Sequence, residues 1–294
     1  MNGFVKWFNR DPSRSNQHCL YCGSHVGTDS AIASDEEHLV GRNFVPKGTM
    51  ENAFNFSFRA CRPCNARKAE LERHVSSITL LNSPSVASDG IARRAAERKA
   101  VGDTHPETRA KMGEAITRQT VEFELGPAKI SFELSGPSPA AKDFIPALAA
   151  YYVQALFALV TTPENRTTEN VRLLPLNQLQ VFGSYPHLDW GNPQLSEIAG
   201  RAASWPCRAA IHTAGGFFRS CFRRHKSAGW FWALEWNKSL RVVGGINHPQ
   251  ENNPLFGNLP ALDWKPLPDG SGFFREEQGA PELGMDLFPT NYQS

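Results

Sequence analysis

Apolar positions recur at different spacings along the chain, and each spacing predicts a different element. From Asn65 to Leu80 the residues Leu71, Val75, Ile78 and Thr79 fall on one side of a helix. Residues 144 to 160, FIPALAAYYVQALFALV, are uncharged and almost wholly apolar, close to the lower length limit of a membrane span. Pro146 and Gln154 interrupt that run, and Lys142 and Asp143 precede it without the positive flank of a spanning segment, so the expectation is a buried helix. Val121–Leu125 and Lys129–Leu134 alternate at period two around Gly126-Pro127, predicting a hairpin with one face of each strand buried. Cys207–Thr213, Gly216–Arg224, Trp230–Trp236 and Leu240–Ile246 predict a short antiparallel meander. Before the hairpin, Ser83-Pro84-Ser85 opens a segment rich in Ala, Arg, Lys and Glu, with a solvated helix at Ile91–Ala100 that breaks at Gly102 and again near Pro106. Pro and Gly dominate after Pro249, predicting an irregular tail.

These elements sort into a small module at residues 1–82, a charged linker with its helix at 83–119, and a larger α+β domain at 120–294. A length of 294 residues with 40% hydrophobic content supports that division. The segments of the first module are too short to build a core of their own. What they carry instead is two Cys-x-x-Cys pairs, Cys19-Leu20-Tyr21-Cys22 and Cys61-Arg62-Pro63-Cys64. Four thiolates grouped two and two close a tetrahedral zinc site, and the zinc is then scaffold. A disulfide reading is weaker, because MNGFVKWFNR carries Lys6 and Arg10 but no apolar leader; the expectation is a cytoplasmic protein whose paired cysteines serve metal. Cys207 and Cys221 lie far away and are expected to be buried as small hydrophobes. The net charge of +2 is too weak to identify a polyanionic partner, but Arg59, Arg62, Arg67, Lys68 and Arg73 crowd the second cysteine pair.

Glu37-His38 lies inside the bracket formed by the cysteine pairs, and Asn65-Ala66-Arg67-Lys68 runs straight on from the second pair. Over about residues 15 to 80 this arrangement resembles the HNH (ββα-metal) nuclease family, in the version whose last motif reads C-x-x-C-N-x-x-K. The resemblance implies an α+β fold: a small zinc-stabilised ββα-metal module followed here by a larger α+β domain with an antiparallel sheet. It makes His38 the general base of phosphodiester hydrolysis, a task a neutral imidazole performs near pH 7. It makes Asn65, together with Glu37 where the family commonly has Asp, the ligands of one divalent cation, magnesium or manganese. Asn55 is the implied central asparagine that holds the histidine loop through backbone hydrogen bonds, with Asn52 as its rival. Arg42, in the basic loop Gly41–Gly48, and Arg62, Arg67 and Lys68 would hold phosphates around the cut.

A second candidate lies in the meander. Alternation places Arg219 and Arg223 on one face of a strand, and Trp230, Trp232 and Trp236 on one face of the next. Solvent-facing rings beside arginines would stack bases. Tryptophans at alternate strand positions also make ordinary core, with the arginines keeping the sheet soluble, and the sequence leaves both readings open. The functional expectation is a metal-dependent endonuclease acting on DNA, with RNA not excluded, structural zinc and no membrane partner. One module carries one active site, so double-strand cleavage would call for a homodimer. Phage defence or restriction, with a defence-system protein as partner, is a common use of the family. The rival is a zinc-stabilised nucleic-acid-binding or regulatory protein without catalysis.

Overall fold

The computed structural model describes residues 4–105, 108–115, 117–125, 128–136, 141–162, 171–189, 192–226, 229–247, 254–268, 270, 273–276, 279 and 287–288. Strands β1 (Phe4–Lys6), β2 (Ser34–His38) and β3 (Asn55–Cys61) form a three-stranded sheet in the order β1-β3-β2. β1 runs parallel to β3 and β2 antiparallel. Helix α1 (Arg62–Leu81) follows β3 with no loop between them. Pro63 sits in its first turn, where a missing N–H breaks no helical bond. After the short α2 (Ser85–Ser88), Asp89 starts α3 (Gly90–Gly102) by accepting from the amides of Ile91 and Ala92. Next come α4 (Met112–Ala115) and the hairpin β4 (Thr117–Leu125) with β5 (Ala128–Gly136), which forms a two-stranded sheet of its own. The predicted burial of one face of that hairpin lies outside the described residues. Helix α5 (Ala141–Thr161) completes this half.

The second half is a five-stranded antiparallel sheet in the order β6-β10-β9-β8-β7, from β6 (Leu179–Pro186), β7 (Cys207–Thr213), β8 (Phe218–His225), β9 (Gly229–Trp236) and β10 (Leu240–Ile246). The four meander strands fall where their alternation puts them. β6 escapes the same reading because Gly183 and the terminal Pro186 blur its period. Helix α6 (Pro193–Ala203), capped by Asn192, precedes β7. A two-residue pair, β11 (Lys265–Pro266) with β12 (Phe273–Phe274), lies in the tail.

Both faces of this sheet are covered. Trp232, Leu234, Trp236 and Phe218 join the core that α5 fills, while Phe231, Ala233, Cys221 and Val243 pack with α6 and with Leu255, Leu287 and Phe288. That double burial makes β9 a continuous buried strand. Gly244 of β10 makes room for Trp232: a Cβ there would stand 2.1 Å from the indole. Trp232 and Trp236 are fully buried, which overturns the stacking-platform reading. Arg219 and Arg223 do share a face, but it is the face under α6 and Phe288. Arg219 pairs with Glu235 at 3.4 Å and bonds the Phe288 carbonyl at 3.2 Å, and Arg223 bonds the carbonyls of Ala203 and Trp205 at the end of α6. Both dock layers onto the sheet. Cys221 is buried as expected, whereas Cys207 is exposed because β7 is an edge strand.

Glu235 collects Arg241 at 2.5 Å, His187 at 3.1 Å and Arg219. Burial would raise its pKa, but the His187 hydrogen bond and the arginine charges outweigh that and hold it at about 2, below the ordinary 4.5. A lowered carboxylate pKa stabilises the fold fully above the unfolded value and is lost as pH falls through the folded one. Acid titration followed by near-ultraviolet circular dichroism should therefore show stability falling from about pH 4.5 towards 2. Glu235→Gln should flatten that dependence; an equally steep loss in the variant would remove Glu235 as its cause.

Helix α5 is long and apolar enough to cross a membrane, with a mean hydropathy of 1.7. It packs between α1 and the five-stranded sheet, and Leu148, Tyr152 and Leu156 are fully buried. Around Tyr152 stand Phe44 at 5.6 Å, Phe218 at 5.0 Å and Trp236 at 5.7 Å. These rings come from the module, α5, β8 and β9. Four buried aromatics at roughly 150–250 Å² each represent on the order of 15–25 kcal/mol of transfer free energy before entropy. The module and the larger domain therefore do not swing as separate bodies: one hydrophobic cluster runs from Cys19 to Ile246.

Candidate functional site

The Sγ atoms of Cys19, Cys22, Cys61 and Cys64 all lie within 4.8 Å of one another. Cys22 and Cys61 approach to 3.7 Å, against about 3.8 Å for an edge of an ideal tetrahedron with Zn–S bonds of ~2.3 Å. Without a cation, burial pushes the Cys19 thiol up to about 12 and raises Cys64 as well, with the neighbouring thiols adding to both. Four thiols held this close, two of them buried, in a chain where all six cysteines are free, fit a zinc ion.

His38 ends β2 and is half-buried. Burial holds its imidazole below the usual histidine range, reinforced by the charges of Arg42 and Lys68 against the opposing pull of Glu36. The chain after it is fixed by Asn55, which accepts from the Val40 amide at 3.1 Å and donates to the Val40 carbonyl at 3.0 Å. Asn52, the rival, stands at a left-handed turn position with φ of 59°.

Lys68 points inward. Its Nζ donates to Glu37 Oε1 at 2.6 Å, to Glu72 Oε1 at 2.7 Å and to the His38 carbonyl at 3.0 Å, and the side chain is 1% exposed. Tyr152 of α5 donates to Glu72 at 2.8 Å, the Gly41 amide donates to it at 3.0 Å, and Tyr21 donates to Glu37 at 3.3 Å. Gly41 is required there, since a Cβ would sit 2.2 Å from Glu72 Oε2. Burial works against the ammonium, but the two carboxylates raise its pKa and keep it charged. Burial and the charge of Glu72 push Glu37 up despite Lys68.

This network corrects one expectation. Lys68 is not a phosphate contact, because it is enclosed and satisfied by two carboxylates. Glu37 spends its Oε1 on that ammonium and on the Tyr21 hydroxyl. Asn65 is half-buried, one turn before Lys68 on the same side of α1. It does not line the cleft described next.

His38 opens into a cleft of about 1130 Å³. One wall is a stripe of α1, from Ala66 and Ala69 through Arg73 to Leu80; another is the loop bearing Arg42 and Lys47; the third is α3, with Arg98 and Lys99. Every acid in the lining is engaged: Glu37 and Glu72 by Lys68, Glu70 by Arg67, and Asp103 by Lys99 and Ser77. Among the described residues Arg42, Lys47, Arg73 and Arg98 are exposed and form no ion pair. Arg67 pairs with Glu70 at 2.6 Å and Arg62 with Asp35 at 3.0 Å, both at the surface and outside the cleft lining. The segment 83–119 is therefore no mere linker. Its helix docks through Ala92, Ala95 and Ala96, the latter two beside Leu80, and supplies a wall of the site.

The chain matches no protein-family model, no curated protein and no solved structure. The site stands on its own geometry: a four-cysteine cluster, a β2–β3–α1 frame, and a half-buried histidine facing a cationic cleft. Glu72, Tyr21, Tyr152 and Arg98 belong to it without having been singled out in the sequence. The i,i+4 spacing of Lys68 and Glu72 was the one available signal.

Proposed function

We propose that the protein hydrolyses phosphodiester bonds in nucleic acid, DNA foremost, with His38 as general base and a zinc ion on Cys19, Cys22, Cys61 and Cys64 as structural support. The observation that carries this is a neutral-leaning imidazole at the mouth of a cleft whose acids are neutralised while four cations are left unpaired. His38 takes a proton from a water molecule as that water's oxygen bonds to phosphorus. The bond from phosphorus to the leaving sugar oxygen breaks, and that oxygen is protonated from solvent. Arg42, which shares the cavity with His38, offsets the charge gathering on the phosphoryl oxygens. Asn55 and Lys68 hold the backbone that aims His38, so their role is positioning. Glu37 Oε1 is taken by Lys68, and no step is assigned to magnesium or manganese.

That occupancy is the specific observation favouring a second reading, a zinc-stabilised protein that binds nucleic acid without cutting it. Incubation with plasmid, linear and single-stranded DNA and with RNA, in chelator and then in magnesium or manganese, separates the two. The expected result is cleavage by the wild type, slowed about 10²- to 10⁴-fold in His38→Ala with affinity nearly intact. Equal cleavage by His38→Ala would overturn its role. Binding with no cleavage under any metal would establish the second reading.

A further inference from the structure

Helix α3 lies beyond the stretch that resembles a known motif, yet it faces the same cleft as His38. The stripe of α1 that floors this cleft begins at Ala66 and Ala69, small residues that leave room for another backbone, and ends at Leu80 beside α3. At a rise of ~1.5 Å per residue, Ala66 to Leu80 spans about 21 Å. Phosphates of a stacked strand recur every ~3.4 Å along the axis, so that length matches about six of them. The cations are spread along it: Arg42 beside His38, Arg73 midway along the α1 stripe, Arg98 on the α3 wall. Unpaired surface cations are commonplace, but here four converge on one concavity whose acids are all engaged, which concentrates positive potential there. On the other side of His38 the cavity is only about 300 Å³ and Arg42 is its sole lysine or arginine.

We propose that α3 is a phosphate-tracking arm: Arg98 grips the substrate backbone a few phosphates from the one at His38, on one side of the cut only. The inference rests on the nucleic-acid reading of the cleft and adds to it a one-sided footprint. Among the described residues the small cavity offers only Arg42, which the larger cleft shares, on the opposite side.

The test uses two readouts on the full-length protein. Binding is measured by fluorescence anisotropy with fluorescein-labelled DNA and RNA oligonucleotides that run past both ends of the cleft. The His38→Ala background keeps the substrate intact, and a salt series is taken with and without Arg98→Ala. The expected result is a several-fold loss of affinity and a salt slope shallower by about one counterion. Arg94→Ala, on the same helix but outside the cleft, should change neither. With active protein and substrates labelled at either end, the shortest fragments should be missing from one side alone, and Arg98→Ala should relax that limit. An unchanged salt slope, or a cutting limit the same on both sides, overturns the arm while leaving any observed cleavage standing. A slope change without cleavage by the wild type upholds the arm and removes the nuclease reading. A matching thermal midpoint for Arg98→Ala shows that the loss is one of contact and not of folding.

Discussion

Replacing Cys61 by Ser, or stripping metal with a strong chelator, should unfold the whole chain and not merely slow its chemistry. A structural zinc contributes an apparent ~10–16 kcal/mol in small peptides, which is as large as the net stability of most domains, about 5–15 kcal/mol. Cys61 also ends β3 and stands at the N-cap of α1, so losing its thiolate releases the metal from the junction between the strand that holds Asn55 and the helix that holds Lys68. Because the hydrophobic cluster continues from Cys19 to Ile246, the damage should reach the five-stranded sheet as well. Metal analysis should find close to one zinc per chain, and circular dichroism after chelation should show a single cooperative loss of structure. Well under one zinc per purified chain, or a native melting profile in chelator, would refute the site.

The second large effect is expected at Lys68. Lys68→Met keeps much of the volume but leaves Glu37 and Glu72 buried with no cation between them. Breaking a buried pair in this way costs about 3–5 kcal/mol, because the surviving charge is uncompensated. The pH dependence carries a signature. Burial already raises Glu37 against the pull of Lys68, so without the ammonium its folded-state pKa lies further above the unfolded one and it escapes the cost by taking up a proton. Stability is then present below the unfolded pKa and lost as pH rises through the folded one. Denaturant unfolding should accordingly find the variant closest to wild type in mild acid and furthest from it at neutral pH. A deficit below about 1 kcal/mol at neutral pH would mean that the network is a surface decoration and that Tyr152 makes no difference to the site.

Local pattern exposed the parts of this site whose geometry is local. Two cysteine pairs at fixed spacing, a histidine between them, and a helix beginning at the second pair are set by the few residues around each, as are the limits of β7 and β10. The direction of Lys68 is different in kind. It turns inward because Tyr152, more than eighty residues further on, places a hydroxyl on Glu72 and closes the pocket above it. No periodicity in α1 announces that. The same holds for Arg219 and Arg223: strand parity puts them on one face, but whether that face meets water depends on α6 and on Leu287 and Phe288, which the meander does not contain. The alanine face of α3 looks solvated because small residues give little amphipathic signal, although their smallness is what lets the helix settle near Leu80.

The turn after β9 has a consequence for how the chain is made. Asn237 donates to the carbonyl of Phe44 at 3.1 Å and to Thr79 at 2.8 Å, so a residue late in the sequence braces the loop that bears Arg42. On a ribosome adding about 5–20 residues per second, Asn237 emerges roughly 10–35 s after Cys64 has completed the metal-binding set. During that interval the zinc knuckles can close, but Tyr152 comes to cover Glu72 only about halfway through it and Trp236 reaches Phe44 only at its end. The cleft is thus assembled last, once its remote supports have been synthesised. A nascent chain holding its zinc is still without the loop geometry that aims at a substrate, and a transcript cut short before β9 yields a metal-loaded fragment with no working groove.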